Sequence, residues 1–202
     1  MRLIRLSILS TIILVCAGGT ALAQRQRPPR VDNQFPSRCD PWEYRTKLEE
    51  FEYKHETILI KGYTNIATLT VREGTARIEA MELRDAGDST RALGIAVAFT
   101  DVAHPGVENR ALVDYEEINP LIKGLDTVAR ADETITKLVN FEMRYRTRGD
   151  LELAAFRQMR FGAAVALSSG ICDRATMFLT LEELQRFRGM LVEAKARLDE
   201  IK

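Results

Sequence analysis

The densest group of side chains able to do chemistry is Arg144-Tyr145-Arg146-Thr147-Arg148, with Arg157 and Arg160 just beyond. A guanidinium is a planar fork that binds phosphate or carboxylate through paired hydrogen bonds. Three forks at alternate positions of an extended segment would line one face and could grip a polyanion such as single-stranded nucleic acid. Tyr145 falls on the opposite face, out of the row that a base-stacking platform needs. The same residues also read as a solvated sheet face, with the arginines paired to Glu142, Glu152 and other carboxylates.

Catalytic groupings are sparse. His104 precedes Pro105-Gly106, with Asp101 three residues upstream, but no nucleophile lies on a recognisable strained elbow. Ser168-Ser169-Gly170, close to Cys172, reads as a turn because no base can be assigned to it. Glu116-Glu117 and Glu182-Glu183 look like paired carboxylates, yet adjacent helix residues point in different directions. The sequence assigns no catalytic residue, no metal site and no cofactor, since Cys39, Cys172, His55 and His104 show no ligand spacing and no phosphate or calcium loop occurs.

The opening MRLIRLSILSTIILVCAGGTALAQ sets the compartment. Arg2 and Arg5 precede an apolar run, and Ala21-Leu22-Ala23 is a small-x-small cleavage pattern, so residues 1–23 read as a signal peptide. The apolar run is shorter than the ~20 residues of a membrane span, although an uncleaved anchoring helix is the rival reading. Cleavage after Ala23 would leave 179 of the 202 residues, with two more acidic than basic side chains. Such a balance gives no general pull toward nucleic acid or anionic lipid. In a periplasmic or extracellular setting the two remaining thiols, Cys39 and Cys172, are expected to form a disulfide, with two free thiols as the alternative.

Residues 24–38 carry four arginines and three prolines without periodicity, and 24–41 reads as a flexible N-terminal segment. Asp40-Pro41-Trp42-Glu43 resembles a helix start, while alternation from Trp42 through Leu59 suggests strand; 51–60 is read as strand and 42–50 stays undecided. Alternation continues over 65–72 and 75–85. In 91–99 it places Leu93, Ile95, Val97 and Phe99 on one face and Ala92, Gly94, Ala96 and Ala98 on the other. The large face should meet a core, and the small face leaves room for another layer. Residues 101–110 and 168–175 read as loops, and 137–146, 151–157 and 161–167 as further strands.

Two phrases are alike. LVDYEEINPLIKGL (112–125) and FLTLEELQRFRGML (178–191) align at an offset of 66, pairing Asp114 with Thr180 and Glu117 with Glu183. Each reads as a capping box that opens an amphipathic helix. The expected fold is therefore α+β, two similar halves (42–131 and 132–202), each an antiparallel sheet followed by one helix, packed as one body.

This duplicated order of strands then helix resembles the Whirly fold and, for each half, the single-stranded-DNA-binding domain of transcriptional coactivators. The resemblance covers about residues 51–200 and implies four-stranded antiparallel sheets. It transfers no functional residue, because the family's lysine-rich strand motif has no counterpart here. The resulting expectation is an exported, non-enzymatic binding or envelope-associated structural protein, in which an edge strand of either half could pair with another chain. The alternative is a polyanion-binding protein using Arg144, Arg146, Arg148, Arg157 and Arg160. Export argues against nucleic acid as its partner.

Overall fold

The chain divides into Met1–Phe35 and Pro36–Lys202. The computed structural model describes residues 44–102, 106–132, 134–158, 162–170 and 174–202, all within the second unit. The proposed signal peptide, the segment 24–41, Trp42, Cys39, Cys172, His104 and Arg160 lie outside the described residues.

In chain order the elements are α1 (Lys47–Glu52), β1 (Leu59–Val71), β2 (Gly74–Asp85), β3 (Arg91–Asp101), β4 (Glu108–Asp114), α2 (Tyr115–Val128), β5 (Glu142–Arg146), β6 (Glu152–Gln158), β7 (Gly162–Ser169), β8 (Ala175–Leu179) and α3 (Leu181–Asp199). Two antiparallel sheets form, ordered β1-β2-β3-β4 and β5-β6-β7-β8. The two-halves α+β architecture expected from the repeat is what the chain adopts.

Several boundaries differ from the sequence expectation. Residues 47–52 are helix because Thr46 and Glu49 form a capping box, with the Thr46 hydroxyl accepting from Glu49 N–H at 3.0 Å. The alternation through Phe51 and Tyr53 therefore does not mark a strand, and β1 begins only at Leu59. The expected loops 101–110 and 168–175 are shorter than read. Glu108–Asp114 pairs with β3, and Ala175–Leu179 pairs with β7, supplying the fourth strand of each sheet.

One apolar cluster joins both halves. Ile78, Ile95, Val97, Phe99 and Val113 of the first sheet meet Leu153, Leu167 and Met177 of the second, with Leu125 of α2 and Phe187 and Leu191 of α3. The helices cross between halves: α2 touches β5 and β6 as well as β3 and β4, and α3 lies on β1 and β2. α2 thus packs between the two sheets and α3 mainly on the first, so the two sheets share one core.

The small face of β3 has its own cover. Leu48 of α1, fully buried, packs with Met81, Leu83, Ala92, Ala96 and Leu112 on the outer side of the first sheet. A Cβ on Gly94 would come within 2.6 Å of Leu48 Cδ1, so the absent side chain is what lets the helix settle. Asp114 then departs from expectation. It begins α2 without a side-chain bond to that helix. Its carboxylate instead accepts Lys47 N–H at 3.0 Å and Leu48 N–H at 3.2 Å. The buried carboxylate faces the unsatisfied first-turn amides of α1, where helix dipole and hydrogen bonding both favour negative charge.

Candidate functional site

Of the five arginines, the four among the described residues, Arg144, Arg146, Arg148 and Arg157, do not form one surface. Arg144 and Arg146 share the outer face of β5 with Glu142, as the alternation required. Tyr145 turns the other way and packs on Gly124 of α2. Arg144 Nε donates to Glu142 Oε1 at 2.6 Å, and Arg146 Nε donates to Glu152 Oε2 at 2.7 Å. Arg174 also pairs with Glu152. Burial works against the charge on Glu152, but the hydrogen bonds from Arg146 and Arg174 outweigh it and hold the carboxyl below its ordinary range.

Arg148 has left the strand. Its guanidinium lies 3.5 Å from Glu117 and 3.7 Å from Glu116, and its backbone N–H donates to Glu117 Oε1 at 2.9 Å. Glu117 is therefore engaged by the β5–β6 turn and does not cap its own helix. Arg157, on β6, falls on the opposite face from Arg144 and Arg146, and donates to Val139 O at 2.9 Å.

The other chemical groupings resolve into structure. Glu116 binds Lys47 at 2.5 Å, which holds its carboxyl below the usual range. Thr180 and Glu183 form the reciprocal cap expected of them. Ser168 and Ser169 belong to β7 and are buried. Asp101 ends β3 opposite Gly74. Among the described residues no group of three or more His, Cys, Asp or Glu could hold a metal, and no helix is long and apolar enough to cross a membrane.

A different feature stands open. β1 has 13 residues and, among the described strands, is hydrogen-bonded to β2 alone. Ile60 and Tyr63 along it are 51% and 62% exposed, and Ile58 just before it is 74% exposed. Lys61 Nζ stands 5.8 Å from the Tyr63 ring centroid and 3.7 Å from Glu52. Register with β2 is regular from Leu59↔Asp85 to Asn65↔Glu79 and then shifts at a bulge before Ala67. No family model, curated protein or solved structure matches this chain.

The chemistry available to this edge follows from its geometry. Gly62 and Thr64 alternate onto the inner face beside Ala80, and a Cβ on Gly62 would meet nothing within 4 Å. A cleft of about 290 Å³ opens there, bounded by the end of α3 through Arg197, Leu198 and Ile201. An unpaired row of backbone donors and acceptors thus runs beside a hollow that could take a side chain. The sequence held one signal of this, the proline-free 59–71 stretch with a single charge, but not which strand would be an edge.

Proposed function

We propose that the protein is an exported, non-enzymatic binding or envelope-associated structural module, and that the open edge of β1 is its binding element. The observation that carries this reading is a long strand paired on one side only, with exposed Ile60 and Tyr63 beside a cleft. Strand addition draws affinity from main-chain hydrogen bonds and selectivity from pockets for alternate side chains. Both are available at β1. Long apolar edges are ordinarily blunted by charge, proline or a covering element. Here one lysine stands in the 13 residues.

Polyanion binding at Arg144, Arg146, Arg148, Arg157 and Arg160 asks more of the molecule. Arg144 and Arg146 would have to exchange Glu142 and Glu152 for phosphate. The repeated order of four strands then a helix supports a Whirly-like arrangement, and the β1 reading does not depend on it. No cofactor or catalytic group enters the reading.

Site-specific photocrosslinking in the producing cells tests it. A photoreactive phenylalanine at Tyr63 should give discrete protein adducts in the exported fraction, and one at Ile135, exposed in the inter-half connection, should give none. Adducts equally frequent at both positions, or absent from Tyr63, overturn the reading.

A further inference from the structure

Resting on β1 as the binding element, we infer that its partner strand is β1 of a second copy of this chain, in a register centred on Gly62. The bulge bounds the choice. The longer uninterrupted run of the strand is Leu59 to Asn65, against five residues from Ala67 to Val71, and its middle residue is Gly62. A two-fold axis perpendicular to the sheet through Gly62 sets Leu59 opposite Asn65, Ile60 opposite Thr64 and Lys61 opposite Tyr63. All these residues keep their own faces, because opposite residues of an antiparallel pair share a face.

Three observations favour this occupant. Shifting the centre to residue 61 would oppose two lysines, whereas centring on Gly62 sets each Lys61 against the other copy's Tyr63. The cation–π contact already present within one chain is thereby repeated between copies. The second copy's Ile60, opposite Thr64 and diagonal to Gly62, reaches the cleft bounded by Leu198 and Ile201. Each copy thus fills the hollow of the other with a side chain that is half exposed when alone. Gly62 itself carries no side chain to hold the axis apart.

Sedimentation of the purified protein over a concentration series should show a reversible doubling of mass. Ile60→Lys should raise the dissociation constant at least about tenfold, which is 1.4 kcal/mol. Thr68→Lys, exposed beyond the bulge on the same strand, should leave it unchanged. Hydrogen exchange on the wild-type chain needs no variant: raising the concentration should slow amides within 59–65 and leave Thr68 and Thr70 as they were.

A monomer at every concentration overturns the pairing. So does a dimer indifferent to Ile60→Lys, or one whose protection lies outside 59–65. A monomer that still gives Tyr63 adducts identifies another protein's strand as the occupant, overturning the dimer and sparing the binding reading. A dimer with no Tyr63 adduct in cells overturns the binding reading.

Discussion

Asp85 shows what a single carboxylate does here. Only 4% exposed, it accepts Lys54 Nζ at 2.5 Å, the Thr57 hydroxyl at 2.6 Å and Gly87 N–H at 2.7 Å. Lys54 first, then Thr57 and Gly87, hold its carboxyl well below the usual range. The connection between α1 and β1, in which Glu56 takes left-handed backbone, is thereby fastened to the β2–β3 turn, in which Ser89 does the same. A group depressed in the folded state contributes stability that is fully present above its unfolded pKa, about 3.9 for Asp. That stability is lost as pH falls from there toward the folded value. The thermal midpoint should therefore fall on acidification below about pH 4. Asp85→Asn should lower the midpoint at neutral pH and flatten its acid dependence; an unchanged acid slope would remove Asp85 as the cause.

At the scale of elements, α1 is the informative case. Six residues are too few to hold a helix by themselves. This one is held by the Leu48 contact, by its own capping box and by Asp114, which reaches it from 66 positions away. Leu48→Ala should cost about 2–5 kcal/mol by cavity formation. Asp114→Ala should cost about 1–3 kcal/mol by stranding two amides. In both variants the amides of 47–52 should exchange faster than those of α3, and equal acceleration in the two helices would refute local detachment. The helix starts at Asp114 and Thr180 were legible in the sequence, as was the small face of β3 as a seat for another layer, but only Thr180 caps its helix as read, Asp114 having turned to α1. Periodicity misled at 51–57, where the Thr46-x-x-Glu49 signature carried the better information. β4 and β8 were missed because they are short and run without a break into the helix phrases. The arginine row was legible as a row. Its partition between faces was not, since only the turn at Thr147–Leu151 decides where Arg148 leaves the strand.

For the whole molecule, the crossing of α2 and α3 between the sheets decides how the chain behaves as a unit. Halves that each closed on their own helix would form two bodies on a string. Here α2 packs between the two sheets and α3 lies mainly on the first, so one core draws on both halves. The connection carrying Ile135, Leu138 and Val139, all exposed, bears little of this burial. Severing the backbone once near Leu138 with a protease should therefore liberate nothing: both fragments should co-elute under native conditions, retain the circular dichroism of the intact chain and part only in denaturant. Fragments that drift apart in buffer would mean that the peptide link, rather than the traded helices, keeps the halves in each other's company.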